Sequence, residues 1–212
     1  MKQRFTRVVF ATLLWLLPYQ AFSQTTDAGI SVVGQASFQP VDDSYVGGPY
    51  LSEGLGGIAP GFGIGGDVIF PNGLALAVEY STARFEQEQS GRLVVGEGVP
   101  ATSTLHDSLV SGLIGYATTS EHTRLLVLGG LSATLDSPTV NGVERDDVDP
   151  DGSDVFPLVL TGGIDFRHAF NARVALLAGG RYSYIDRQQT LQYLGIGPHV
   201  LRANVGLRFR IN

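Results

Sequence analysis

The last strand-forming stretch of the chain reads Asn204-Val205-Gly206-Leu207-Arg208-Phe209-Arg210-Ile211. Apolar and polar residues alternate in it with a period of two, which is typical of a β-strand because successive side chains point to opposite faces. One face, extended back to Leu201, is apolar, and the other carries Arg202, Asn204, Arg208 and Arg210. Soluble antiparallel strands can alternate in the same way. The stretch therefore predicts a strand and leaves open which of its faces is buried in protein.

The N-terminal segment indicates export. Three basic residues precede an apolar run at 8–17, and the small residues Ala21 and Ser23 follow it. A run this short is typical of a secretory signal peptide, because a membrane-spanning helix needs about 20 apolar residues. We predict a cleaved signal peptide at residues 1–23 and one domain at residues 24–212, with an uncleaved anchor as the alternative. If the mature chain lies in a membrane, it must form a closed barrel.

Composition excludes several classes of function. The chain has no cysteine, which excludes a disulfide framework, a thiol nucleophile and a lipidated cysteine. Beyond residue 23 it holds eleven basic and twenty acidic residues, a formal charge of −9, which argues against nucleic acid as a partner. All eleven basic residues are arginines, which suit a buried polar lumen because they form forked pairs with carboxylates. Genomic base composition is the alternative explanation.

Turn signals recur at regular intervals and predict eight strands. We place these strands near 29–39, 61–70, 74–87, 104–117, 124–135, 155–169, 173–187 and 199–211. Short connections alternate with long ones at 41–60, 88–103, 136–154 and 188–198. Outer-membrane barrels show this pattern, with the short turns in the periplasm. The predicted fold class is all-β, an eight-stranded antiparallel up-and-down transmembrane β-barrel.

The alternation is weaker in the fourth and fifth strands, where the apolar runs 109–114 and 125–128 leave the facing unassigned. Aromatic residues gather near predicted strand ends, as in two interfacial girdles. They are Phe70, Tyr116, Phe166, Phe170 and Phe209 by the short turns, and Phe38, Phe156 and Tyr184 by the long loops. Aromatic residues scattered through a core are the alternative.

Together, the signal peptide, the eight strands, the connection lengths and the polar-x-Gly-x-x-apolar-x-apolar spacing of the last strand resemble a known family. It is that of the small outer-membrane barrels of the OmpA transmembrane-domain, OmpX and opacity-protein type. The resemblance implies that Asn204, Gly206, Phe209 and Ile211 form the signal read by the barrel assembly machinery. It also implies a monomer in the bacterial outer membrane, surrounded by lipid and lipopolysaccharide. Members often end on phenylalanine, whereas Asn212 follows Ile211 here.

The barrel interior is the first candidate site, because eight strands enclose a space just wide enough for side chains. Eight charged residues lie on the strand faces that the alternation assigns to the interior: Asp67, Glu79, Asp165, Arg167, Arg181, Arg202, Arg208 and Arg210. Unpaired buried charges are costly, so we predict a carboxylate–guanidinium network that plugs the lumen. A narrow ion-conducting pore lined by the same charges is the alternative.

The loop at 136–154 is the second candidate site. Alternate carboxylates there match the start of a calcium loop: Asp147, Asp149 and Asp151, followed by Gly152. Such carboxylates converge on a hard cation, and the glycine permits a sharp turn. The closing glutamate is missing, since Leu158 occupies its position, and Asp154 or Glu144 are the nearest substitutes. Calcium is the only cofactor suggested, with an acidic solvated loop as the alternative.

A catalytic site is the third candidate, because His106, Asp107 and Ser108 are consecutive. In a strand, His106 and Ser108 share one side while Asp107 points away. An acid partner would have to come from another strand, for example Asp186. We therefore predict no catalytic residues, and a lipid A-modifying enzyme is the alternative function.

The sequence as a whole favours a non-enzymatic outer-membrane barrel with a structural or surface-interaction, adhesion-like role. Its acidic extracellular loops would meet the surface ligand. A soluble lipocalin-like barrel, apolar inside, is a third alternative; the mid-strand charges Glu79, Asp165 and Arg181 would then face solvent.

Overall fold

The computed structural model describes residues 26–40, 57–89, 101–118, 122–135, 137–140, 143–144, 158–185 and 198–211. Several features named above lie outside these residues: the signal peptide, Asp147, Asp149, Asp151, Gly152, Asp154, Phe156, Asp186 and Asn212.

Ten β-strands occur in this part of the chain. They are β1 (Asp27–Gln39), β2 (Gly57–Ile69), β3 (Leu74–Gln89), β4 (Ala101–Ala117), β5 (Thr123–Thr134), β6 (Ser137–Val140), β7 (Val143–Glu144), β8 (Leu158–Ala169), β9 (Val174–Tyr184) and β10 (His199–Arg210). All except β6 and β7 are eleven residues or longer.

The eight long strands form one closed antiparallel barrel. Each pairs with the next along the chain, β5 pairs with β8, and β1 closes the circle against β10, with Gly29 opposite Arg210. The predicted fold class is therefore confirmed. In the described ranges, no helix has the length and apolar character needed to span a membrane.

Short turns join the strands at one end of the barrel, and asparagines shape two of them. The Asn72 side-chain oxygen accepts the Leu74 N–H at 3.0 Å, and Gly73 beside it has φ of +86°, a left-handed conformation that glycine adopts without strain. In the turn between β8 and β9, the Asn171 oxygen accepts the N–H groups of Arg173 and Val174 at 2.8 and 2.9 Å. Such contacts replace strand pairing locally and reverse the chain.

The outward face of the barrel is apolar. In β10, Leu201, Val205, Leu207 and Phe209 are exposed, while its inward residues are mostly buried. Exposed aromatic side chains lie near both ends of the barrel. They are Tyr116, Phe166, Phe170 and Phe209 by the short turns, and Phe38, Tyr182 and Tyr184 by the long loops. A contiguous apolar surface of this kind requires an apolar surrounding.

The fourth and fifth strands have apolar side chains on both faces, which is why sequence alternation could not orient them. Outward, Ile114, Val127 and Leu131 are exposed. Inward, they contribute to a buried cluster on β2 to β5, here called the apolar wall: Ile69, Ala75, Ala77, Leu113, Ala117, Leu126 and Leu128. A second buried cluster lies nearer the long loops: Leu109, Val159, Ile185 and Val200.

Three strands, β2, β3 and β4, extend further toward the long loops than predicted. β2 begins at Gly57 rather than 61, and the loop predicted at 88–103 is shortened at both ends by β3 and β4. The hairpin of β6 and β7 lies inside the loop predicted at 136–154, and β6 pairs with β4. Pro60 concealed the start of β2 and Pro138 concealed β6, because proline lacks the N–H of a strand ladder and signals a break.

Candidate functional site

Charged side chains from all eight long strands meet inside the barrel. Four carboxylates on β1 to β4 bond four arginines on β5 to β10, in what we call the cross-lumen pairs. They are Asp27–Arg124, Asp67–Arg167, Glu79–Arg181 and Asp107–Arg202. In that order, the shortest N–O distances are 2.5, 2.8, 2.5 and 2.7 Å.

Each cross-lumen pair joins strands on opposite sides of the barrel. Around the circle, the arginine lies four strands beyond the carboxylate: β1 with β5, β2 with β8, β3 with β9, and β4 with β10. Four steps are half of an eight-stranded circle, so each pair extends across the interior. In the strand registers, each carboxylate after Asp27 lies two to four residues further from the short turns than the one before. The pairs are therefore stacked along the barrel axis.

Arg181 holds the centre of this stack by bonding two carboxylates. Glu79 accepts hydrogen bonds from its Nε and Nη2 at 3.0 and 2.5 Å. Asp165 accepts from its Nη1 and Nη2 at 2.6 and 3.0 Å, and Arg167 lies 3.5 Å from the same carboxylate. A guanidinium can serve two acids at once because its donors spread in a rigid planar fork.

Asp27 lies at the short-turn end and accepts hydrogen bonds from three guanidinium groups. Arg124 bonds it at 2.5 Å, Arg208 at 3.0 Å, and Arg210 at 2.9 and 3.0 Å. Arg208 also bonds Asp67 at 2.8 Å, which joins the first two cross-lumen pairs.

These contacts connect nine residues into what we call the arginine network. It contains five guanidiniums and four carboxylates: Arg124, Arg167, Arg181, Arg208 and Arg210 with Asp27, Asp67, Glu79 and Asp165. The network therefore carries one positive charge in excess.

Glycines leave room for these long side chains. A Cβ atom on Gly29 would lie 2.6 Å from Cζ of Arg208, and one on Gly179 would lie 2.3 Å from Oδ1 of Asp165. Real Cβ atoms essentially never approach other atoms so closely. Larger residues at these positions would therefore displace the charged groups.

The fourth cross-lumen pair lies apart from the arginine network, beside a row of hydroxyls. Ser111, Ser132, Thr161 and Ser183 on β4, β5, β8 and β9 are joined in series at 2.7, 2.7 and 2.9 Å. Arg202 Nη1 donates to Ser183 at 3.4 Å. Because the carboxylate partner of Arg202 is on β4, the row and the pair together form a ring around and across the lumen.

Two cavities near these pairs are small. A cavity of about 30 Å³ lies beside Glu79, Arg181 and Asn204. Another, of about 80 Å³, lies at the short-turn mouth beside Asp27 and Arg124. Cavities of this size hold only a few water molecules. Burying an ion costs several kcal/mol, so these charges depend on their partners.

The structure places all eight lumen residues named from the sequence on the inward face. Seven belong to the arginine network, and Arg202 belongs to the fourth cross-lumen pair. Three participants were missed: Asp27, Asp107 and Arg124. Asp27 precedes the predicted first strand, and the other two lie in the strands whose facing was unassigned. In those two strands, the charged residues could have shown which positions face inward.

The structure does not bring His106, Asp107 and Ser108 into one site. His106 is exposed on the outward face, opposite Arg84 in the strand register. Asp107 is buried and bonds Arg202. The Ser108 hydroxyl lies 2.9 Å from that of Thr82.

No group of three metal-ligating side chains occurs within the ranges that the structure covers. Asp147, Asp149 and Asp151 lie outside those ranges, so calcium binding stays a prediction.

Residues of the predicted assembly signal divide between the two faces of β10 and the position after it. Asn204 is buried on the inward face, which Gly206 shares, whereas Phe209 and Ile211 are exposed. Recognition by the assembly machinery stays a prediction.

Comparison with known proteins agrees with this architecture. The family model described as the outer membrane protein beta-barrel domain matches residues 9–209 of the chain. No curated protein matches the sequence.

Several solved structures have the same fold. The attachment invasion locus protein Ail of Yersinia pestis, in complex with the heparin analogue sucrose octasulfate, is 14% identical with a TM-score of 0.54, over 88% of this chain and 99% of that chain. Neisserial surface protein A is 15% identical with a TM-score of 0.50, over 87% and 97%. OprG from Pseudomonas aeruginosa is 12% identical with a TM-score of 0.50, over 88% and 94%. At such identities the similarity shows the fold alone.

Proposed function

Because the chain belongs to the outer membrane protein beta-barrel domain family, and so is a bacterial outer-membrane protein, we propose that it is a closed, non-enzymatic barrel that presents acidic loops for surface interaction. The barrel would serve as a rigid support, and recognition would take place at its long-loop end. The observation that carries the proposal is the stack of four cross-lumen pairs, which occupies the lumen that a channel would need.

A conducting lumen would require the cross-lumen pairs to part. The fourth pair, Asp107 and Arg202, has side chains no more than 2% exposed. Separating its charges would leave each one buried without its partner, which is strongly unfavourable. The arginine network adds three more pairs below it. This geometry favours a plug over the narrow ion-conducting pore that the sequence left open.

The charge of the long-loop end indicates the kind of partner. The stretches 40–56, 84–104, 135–157 and 186–198 together contain fourteen acidic residues and four arginines. Complementary charge accelerates association, and like charge suppresses it. We therefore propose a cationic surface, or an anionic one bridged by divalent cations, as the partner. Ail was solved with a heparin analogue, but so acidic a surface would repel a polysulfated ligand.

Conductance in planar lipid bilayers tests the plug. The wild-type barrel should give no steady current steps, because the cross-lumen pairs stay closed. A general porin added to the same bilayers serves as the positive control. Reproducible wild-type steps, abolished when the protein is left out, would favour the pore instead.

Attachment of whole cells tests the surface role. Cells displaying the protein should adhere to cationic beads more than cells lacking it, and added salt should reduce the difference. Replacing Asp147, Asp149 and Asp151 by asparagine should weaken adhesion, because three charges are lost from one loop. Glu86→Gln, which removes a single exposed charge at the same end, should weaken adhesion less. Equal adhesion with and without the protein would contradict the proposal.

The lipid A-modifying alternative is tested by mass spectrometry of lipid A. The proposal expects the same lipid A species with and without the gene. A modification lost on deletion, and restored by the wild-type chain but not by His106→Ala, would establish an enzyme instead.

A further inference from the structure

The short-turn mouth of the barrel, which faces the periplasm in this family, has a local excess of positive charge. Arg124, Arg208 and Arg210 all converge on Asp27. Arg173 in the adjacent turn is also exposed, and its carbonyl accepts the Arg210 N–H at 2.8 Å. In a chain whose formal net charge is −6, this end is distinctive. Arg208 also bonds Asp67, and these four arginines still outnumber the two aspartates.

A cavity of about 80 Å³ lies at this mouth, among Arg124, Asp27, Phe70, Ala117 and Thr118. The Arg124 side chain is 29% exposed, so water can reach it. Its one bond within the described ranges goes from Nη1 to Asp27. A guanidinium has five N–H donors, so most of its capacity is not used by those residues. Cavity and donor thus lie together beside Asp27, the carboxylate on which three arginines converge.

We propose that this mouth binds a small anionic group, a carboxylate or a phosphate, from the periplasmic side. Arg124 is the principal donor, because the guanidinium fork matches the paired oxygens of both groups. Arg210, which also bonds Asp27, adds positive charge beside it. The cavity admits one such group and excludes a polymer, so only a terminal or headgroup anion fits. The site lies at the other end of the barrel from the loops in the proposed function and does not depend on it.

The proposal is tested by nuclear magnetic resonance of the ¹⁵N-labelled barrel in octyl glucoside, a detergent without charge. Sodium phosphate is titrated against sodium chloride at matched ionic strength. We expect saturable shifts of the amides near Ala117, Thr118 and Arg124 with phosphate, at millimolar affinity, and none that saturate with chloride. Superimposable shifts in the two titrations would show screening only and overturn the proposal.

Two variants separate the charge from the space. Arg124→Gln removes the donor, and Ala117→Met fills the cavity with every charge kept; each should weaken phosphate binding at least tenfold. Arg84→Gln, at the opposite end of the barrel, should bind as the wild type does. Heat-dependent mobility in SDS gels checks that each variant is folded. Unchanged binding by folded Arg124→Gln would overturn the proposal. Unchanged binding by folded Ala117→Met would show that the anion does not occupy the cavity, which also overturns it.

Nanodiscs distinguish the two sources of the anion. In phosphatidylcholine nanodiscs, a site for free anions should respond to phosphate as in detergent. In phosphatidylglycerol nanodiscs, a headgroup site should show the same amide shifts without added phosphate, and Arg124→Gln should abolish them. Either pattern supports the anion site, and the absence of both overturns it.

Discussion

The two sides of the barrel interior are filled by different chemistry. Inward positions on β8, β9 and β10 carry most of the charge: Asp165, Arg167, Arg181, Arg202, Arg208 and Arg210. Inward positions on β3 to β5 carry most of the apolar wall. Three of these arginines, Arg167, Arg181 and Arg202, reach across the axis to carboxylates on the far side, whereas the apolar wall is packed within neighbouring strands.

The difference shows that one lumen can be closed by two kinds of contact with different tolerance of change. An apolar contact loses energy gradually as atoms are removed. A buried ion pair fails abruptly, because the partner that remains is a buried charge without compensation. On the charged side, replacing one member of an ion pair should therefore reduce the free energy of unfolding strongly, whereas replacing both members should reduce it little.

The largest effect is expected for Arg181→Met, which keeps most of the side-chain length and removes the charge. Glu79 would lose its ion-pair partner inside the barrel. We expect a loss of about 3–5 kcal/mol in the free energy of unfolding, measured by urea unfolding in lipid vesicles. The control, Arg84→Met, alters an exposed arginine. A loss for Arg181→Met no larger than the control would show that the network does not hold the barrel closed.

A smaller effect is expected for Leu126→Ala in the apolar wall. Leu126 is fully buried, so the change removes packing and leaves a cavity. We expect a loss of about 2–3 kcal/mol, because Leu113 and Leu128 can partly fill the space. The same urea experiment measures it, with Leu131→Ala, on the exposed outward face of the same strand, as the control. If Leu126→Ala reduced the free energy of unfolding more than Arg181→Met does, the apolar side would contribute more to barrel closure than the charged side.

The comparison is sharpened by replacing both members of the fourth cross-lumen pair. Asp107→Leu with Arg202→Met should lie within about 1 kcal/mol of the wild type, because no buried charge is left alone. Asp107→Leu by itself should cost about 3–5 kcal/mol. A double variant as unstable as the single one would mean that the pair matters for more than mutual neutralisation.

The smallest effect is expected at the exposed pair Arg84–Glu86, joined at 3.0 Å with both side chains more than half exposed. Glu86→Gln should change stability by less than about 0.5 kcal/mol, because water screens the pair. Urea unfolding at low and high salt measures it. A change of several kcal/mol would indicate that this hairpin is far less hydrated than its exposure suggests.

Much of the fold could be predicted from the sequence, because the facing of a strand depends on a local period of two. Arg208 and Phe209 are neighbours on opposite faces of β10, and the predicted membrane barrel assigns the charged face to the interior. The fourth and fifth strands failed this test for a physical reason. Leu113 and Ile114, one buried inside and one exposed outside, are chemically alike, so no local pattern distinguishes them.

The partners of the lumen charges could not be predicted. That Asp67 meets Arg167 depends on the closed circle placing β2 opposite β8, and sequence spacing contains no sign of that closure. Asp107 is the clearest case: read locally, it is an acid between a histidine and a serine, and only the barrel shows that it points at Arg202.

The placement of carboxylates before arginines has a consequence for how the barrel is made. All four cross-lumen carboxylates precede their arginines by 95 to 102 residues. A chain exported from its N-terminus delivers every one of these acids before the group that neutralises it. If the first four strands entered lipid alone, their carboxylates would lack ion-pair partners there. Because burying an unpaired carboxylate is costly, these strands stay in water until the arginines arrive. Insertion of either half of the barrel into the membrane therefore requires the neutralising charges of the other half.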